Sequence, residues 1–101
     1  MIVRGVQFTE AAESDLDEIW DYVADSNIDS ADRIIAEVRS TCAKLATNPG
    51  IGHSREDLTE LPVKFIGVFF YLIVYAPDTS PLQIIAVVHG ARDVASVMRE
   101  R

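Results

Sequence analysis

The sequence predicts an α+β domain of order β-α-α-β-β-β, with a helical hairpin packed on an antiparallel sheet and a short C-terminal helix. Three observations carry this. Apolar residues recur at helical spacing twice in succession, from Ala12 to Val23 and from Ala31 to Leu45. From Leu61 onward β-branched and aromatic residues dominate, which is the composition of strands. The chain has 101 residues, enough for one domain spanning 1–101 and too few for two.

The elements follow in order. Ile2 to Phe8 reads as a strand, with Ile2, Arg4, Val6 and Phe8 on one face. Arg4 on that face suggests an edge position or a charged partner. Thr9 suits a helix N-cap, and Glu10 and Glu13 fall in the first turn, where the helix dipole favours negative charge. Ala12, Leu16, Ile19, Trp20 and Val23 then form one apolar stripe. A second helix is expected from Asp29 or Ser30, with Ala31, Ile34, Ile35, Val38, Cys42 and Leu45 as its buried stripe. Asn48-Pro49-Gly50 stops it. Val63 to Ile66 and Phe69 to Tyr75 read as strands, with Gly67 as the turn between them. Pro77 to Pro81 is a turn cluster, and Leu82 to His89 is a further strand. Val94, Val97 and Met98 give the tail helix its apolar stripe. The last two strands are apolar on both faces, so the helical hairpin covers one face and a further element, or a partner, must cover the other.

Charge narrows the function. The net charge is −7, and from Phe8 through Asp32 stand nine acids with no Lys or Arg. Such a surface repels phosphate backbones, which argues against direct nucleic-acid binding. It reads as a solvated helix face or as a site for a basic partner. The longest apolar run, Phe65 to Ala76, is short of the ~20 residues a membrane span needs. No basic leader precedes an apolar core at the N-terminus, so a cytoplasmic location is expected. Cys42, the single cysteine, lies in line with core positions and reads as a small buried apolar residue. His53 has no Cys or His at metal-ligand spacing, Ser54 and Ser80 have no His/Asp constellation, and no phosphate-binding glycine loop occurs. No metal and no cofactor is therefore expected.

Four segments carry a family resemblance. Phe8-Thr9-Glu10 leads into Asp15-Leu16-Asp17-Glu18-Ile19-Trp20-Asp21-Tyr22, and Leu45 to Leu58 contains Asn48-Pro49, Gly52 and Arg55. Tyr71-Leu72-Ile73-Val74-Tyr75 follows, and then Ile84 to Asp93 with His89-Gly90-Ala91-Arg92-Asp93. In this order and spacing the chain resembles the RelE/ParE superfamily of toxins from type II toxin–antitoxin modules, and within it the ParE-like, plasmid-stabilisation type. The resemblance implies a growth-inhibiting toxin silenced by a cognate antitoxin. RelE-like members cut mRNA on the ribosome with basic residues, sometimes with His or Tyr. ParE-like members poison DNA gyrase by protein contact.

Positions where family members often carry arginine hold Ala76, Ala86 and Thr59 or Glu60 here. These changes remove positive charge that phosphoryl transfer uses. The reading is therefore a ParE-like binding inhibitor rather than an enzyme, with DNA gyrase as the implied target. The alternatives are a RelE-like endoribonuclease and a non-toxic antitoxin-binding relic. Under the nuclease alternative the catalytic candidates are Arg55, Lys64, His89 and Arg92. Arg55 reads as either a free phosphate contact or a solvated loop charge. His89 reads as either a base or a strand-end histidine bonded to backbone. Arg92 and Asp93 read as either an oriented functional arginine or an ion pair. The expected antitoxin contacts are Asp15, Glu18, Asp21, Phe70, Tyr71 and Tyr75, with an uncovered second sheet face carrying Tyr71 or Tyr75.

Overall fold

The computed structural model describes the backbone of residues 2–3 and all of residues 5–101. The expectation for Arg4 lies outside the described residues. The order is β1 (Ile2–Val3), β2 (Val6–Phe8), α1 (Glu10–Ala24), α2 (Ile28–Thr47), a single 3-10 turn at Pro49–Ile51, β3 (Lys64–Val68), β4 (Tyr71–Ala76), β5 (Leu82–His89) and α3 (Val94–Arg99). The expected first strand is thus two short ones. Gly5, at φ 76°, takes the left-handed conformation that lets the chain reverse, and Val3 faces Val6 across the turn. The sheet order is β1-β2-β5-β4-β3. The sheet is mixed rather than antiparallel throughout, because β2 runs parallel to β5 with Phe8 opposite Ile84.

Local chemistry sets the helix ends. Thr9 caps α1 as expected, its hydroxyl accepting from the Ala12 N–H at 3.1 Å. α2 begins one to two residues earlier than expected. Extended Asn27 is the cap, its side chain accepting from the Ser30 N–H at 2.9 Å and its carbonyl from the Ala31 N–H at 3.1 Å. Trp20 Nε1 donates to Asp32 Oδ1 at 2.8 Å and ties the two helices together.

The β3–β4 turn is Phe69-Phe70, not Gly67. The register Val68 to Tyr71 leaves two residues to reverse the chain, and Gly67 stays paired with Leu72 inside the ladder. Phe69 takes φ 55°, a left-handed conformation unusual for a bulky residue. The Gly90 N–H donates to the Phe70 carbonyl at 2.8 Å and pins this tip to the end of β5.

Both sheet faces are covered. On the helix side, Leu16, Ile19, Val38, Cys42 and Leu45 pack on Tyr71, Ile73, Tyr75, Leu82, Ile84 and Val87. A bulge places Ile85 out of register between Tyr75↔Ile84 and Val74↔Ala86, which shifts the parity so that Ile84 and Val87 both face the helices. On the other side, Val63, Phe65, Val74, Ala86 and Val88 pack on Val94 and Met98 of α3. The expectation of an uncovered second face is therefore corrected. Six residues of helix suffice because Leu58, Leu72, Ile85 and Val97 close the margins. Tyr71 and Tyr75 alternate with Leu72 and Val74 and lie on the helix side, not on the second face.

Candidate functional site

The site is built where β2 ends before β5 does. β2 pairs with β5 as far as Ile84, and β5 runs on to His89 with no strand neighbour on that side among the described residues. α1, which starts directly after β2, covers the exposed edge with its own side chains. The Thr9 N–H donates to the Ile84 carbonyl at 3.1 Å, and the Thr9 hydroxyl donates to the Ile85 carbonyl at 3.4 Å. The Val87 N–H donates to Asp15 Oδ2 at 3.0 Å. Arg101 crosses from the α3 side and grips the same carboxylate with both terminal nitrogens, at 2.8 and 3.1 Å. Asp15 thus closes an edge and ties the two layers together.

Beyond Asp15 a groove of about 420 Å³ opens between α1 and the end of β5, walled by Glu18, Ile19 and Tyr22 on one side and by Tyr71, His89 and Arg92 on the other. Tyr22 stands 81% exposed at the rim. Tyr71 meets the His89 ring edge-on with centroids 5.3 Å apart, and Phe70 lies near-parallel to it at 6.3 Å. Burial, with a smaller contribution from Tyr22, raises the Tyr71 phenol above its usual range. Phe69 and Phe70, at 60% and 78% exposed, extend this aromatic surface past the groove. Exposed large aromatics grouped at one end of a molecule are the composition of a protein-contact surface.

The sequence candidates fall unevenly on this site. Glu18, Tyr71, His89 and Arg92 line the groove, Phe70 adjoins it, and Asp21 is exposed on the same helix. Asp15 lines the groove but is committed to Arg101 and Val87. Tyr75 is fully buried. Its hydroxyl accepts from the Gly52 N–H at 2.9 Å and donates to the Pro49 carbonyl at 2.7 Å, so it locks the connector rather than meeting a partner. Sequence reasoning passed over Tyr22 as a contact residue. Its position four residues after Glu18, on the same helix face, was the available signal.

The four nuclease candidates do not converge. His89 and Arg92 line the groove, whereas Arg55 and Lys64 line a separate cleft of about 610 Å³ that also holds Glu56, Glu60 and Asp78. Lys64 faces Tyr75 and His89 faces Tyr71, four positions apart on β4. At ~3.3 Å per residue their backbones are therefore at least about 13 Å apart. Arg55 is held in a two-pronged pair by Asp57 at 2.9 and 2.8 Å. That contact raises the guanidinium's pKa and lowers the carboxyl's, and it corrects the picture of a free phosphate contact.

His89 Nδ1 accepts from the Ala91 N–H at 3.0 Å, the backbone-bonded reading of this residue. Its basic lone pair is thereby used, and the neutral ring offers an N–H rather than a base at Nε2. Arg92 and Asp93 form neither of the expected pairs. Asp93 caps α3, accepting from the Ser96 N–H at 3.2 Å and the Ser96 hydroxyl at 2.7 Å, which hold its carboxyl below the usual range. Arg92 instead lines the groove and, beside it, a smaller cleft with Asp93, Ser96 and Glu100.

Cys42 is buried, and desolvation pushes its thiol up to about 12, so it is inert packing. Among the described residues no group of three His, Cys, Asp or Glu is placed to hold a metal ion, and no helix is long and apolar enough to cross a membrane.

Comparison with known proteins adds the family. No curated protein matches the sequence. The family described as "ParE toxin of type II toxin-antitoxin system, parDE" matches residues 6–94. That span contains the helical hairpin, the parallel β2–β5 pairing and every wall of the groove. The chain belongs to the ParE toxin family of type II toxin–antitoxin systems.

Proposed function

We propose that this chain is a toxin that acts by protein contact, with DNA gyrase as its target, and that a cognate antitoxin silences it. The observation that carries the reading is the separation of the cationic candidates into two clefts, with Arg55 neutralised by Asp57 and His89 spending its lone pair on backbone. Transfer of a phosphoryl group needs several positive groups at one phosphate. A contact inhibitor needs an exposed, rigid apolar surface, and Tyr22, Phe69, Phe70 and the groove supply one. Of the six expected antitoxin contacts, Glu18, Asp21, Phe70 and Tyr71 remain in the proposal, Asp15 leaves it because it is held by Arg101 and Val87, and Tyr75 leaves it because it is buried.

Purified gyrase tests the target. Relaxed plasmid should fail to become supercoiled when micromolar toxin is present, and cleaved DNA–gyrase complexes should accumulate. Undiminished supercoiling would refute the target. A translating extract run alongside separates the enzyme alternative, because cutting of mRNA at codon boundaries would replace this reading with a ribosome-dependent nuclease. Normal growth on expression without antitoxin would support the non-toxic relic instead.

A further inference from the structure

The groove beside α1 has a polarity that narrows what can fill it. Its helix wall carries exposed Glu18, and Asp21 and Asp25 stand exposed one and two turns further along the same flank; no cation pairs with any of these three among the described residues. The basic residues that do reach α1 are used elsewhere: Arg39 lies 3.5 Å from Glu13, and Arg101 holds Asp15. Opposite this wall, among the described residues, stands a single cation, Arg92. The groove lining itself is aromatic, formed by Tyr22, Tyr71 and His89. An acidic helix beside aromatic rings favours a cationic chain, since ammonium and guanidinium groups are attracted both by carboxylates and by ring faces. An acidic segment would meet three unpaired carboxylates and gain one arginine.

We infer that this groove seats a basic segment of the cognate antitoxin. An apolar or aromatic anchor enters beside Tyr22 and Tyr71, and Lys or Arg side chains lie along Glu18, Asp21 and Asp25. The inference rests on the toxin–antitoxin reading above and adds the sign of the charge and the place of the anchor. The charge arrangement makes the toxin the acidic partner and the antitoxin segment the basic one. Phe70, stacked near His89, forms the outer end of the seat.

The test uses the full-length chain and, as probe, the purified product of the open reading frame adjacent to its gene. Four forms are titrated with it: the native chain, Glu18→Lys with Asp21→Lys, Tyr22→Ala, and the control Glu56→Lys with Glu60→Lys in the other cleft. All substituted residues are exposed, and circular dichroism checks that the forms fold alike. The inference predicts at least about 30-fold weaker binding for the Glu18/Asp21 reversal at low salt, about tenfold weaker binding for Tyr22→Ala, and a change within about twofold for the control. Raising the salt should weaken the native complex more than the reversed one. Tighter binding on reversal would overturn the polarity, and unchanged binding in both groove variants would overturn the location. A native chain that does not bind the probe at all would remove the antitoxin reading itself, a result distinct from either.

Discussion

Replacing Asp15 by alanine removes two contacts at once. One is the acceptor for the Val87 N–H on the open edge of β5, and the other is the partner of Arg101. The side chains of the ion pair are 11% and 15% exposed, so the pair lies between two regimes. Exposed pairs contribute ~0–1 kcal/mol, whereas removing one member of a buried pair costs about 3–5 kcal/mol. An unpaired edge N–H adds a cost of about 1–3 kcal/mol wherever water cannot replace the carboxylate. A loss of about 3 kcal/mol is expected for Asp15→Ala, which lowers Tm by roughly 12–20 °C in a domain of this size. Arg101→Ala leaves Asp15 still bonded to Val87 and should cost less, about 1–2 kcal/mol. The decisive quantity is the double-mutant coupling energy, measured by urea unfolding of the two single variants and the double variant. It should lie near 1–2 kcal/mol. A coupling below ~0.3 kcal/mol would refute the clamp, because the two sites would then be acting independently.

Three further outcomes follow from the same geometry. Tyr75→Phe leaves the Gly52 N–H and the Pro49 carbonyl without their shared partner and should cost about 1–3 kcal/mol in denaturant unfolding, with no change at the groove. Phe69→Asn places a residue tolerant of positive φ at the hairpin tip, and should stabilise the fold by roughly 0.5–1 kcal/mol while weakening partner binding, a trade readable by melting and titration together. Cys42 should resist alkylation at pH 8 in the native chain and react fully once unfolded. Its pKa in the native chain is raised from 9.0 to about 12, so the native thiol keeps a proton the unfolded chain releases. Stability from this group is therefore intact below pH 9 and falls as pH rises toward 12, a trend that Cys42→Ala should reduce.

Features set by neighbouring residues were legible in the sequence. Thr9 three residues before Ala12 specifies a cap, and the two apolar stripes specify which helix faces are buried. Where several residues can do the same job, the sequence does not choose. Ser26, Asn27, Asp29 and Ser30 are all competent caps, and the extended backbone at Asn27 decides. Gly67 was the natural residue for a turn, yet cross-strand register placed the strain on Phe69. Alternation grouped Tyr71 with Tyr75, but it could not say which face belonged to the helices. The Asp15–Arg101 clamp joins residues 86 positions apart, and no local pattern announces it. The candidate site was legible in its residue types and not in its assembly. Glu18, Phe70, Tyr71, His89 and Arg92 came together, whereas Arg55, Lys64 and Tyr75 went elsewhere for reasons of long-range register.

The position of the groove is itself a consequence of sheet topology. A parallel strand that ends at Phe8 leaves the last five residues of β5 with an open edge, and open edges invite pairing with other chains. Helix α1 begins immediately after that strand, so its first turns necessarily run over the exposed edge. Thr9 and Asp15, six residues apart, satisfy backbone groups there and protect the edge from unwanted strands. The next turn carries Glu18, Ile19 and Tyr22 beyond the last backbone group that α1 bonds, where the helix and the strand no longer touch through hydrogen bonds. A gap must open at that point, and the side chains facing it are set by the helical repeat after Asp15. The same short β2 that shapes the fold therefore decides where the groove opens.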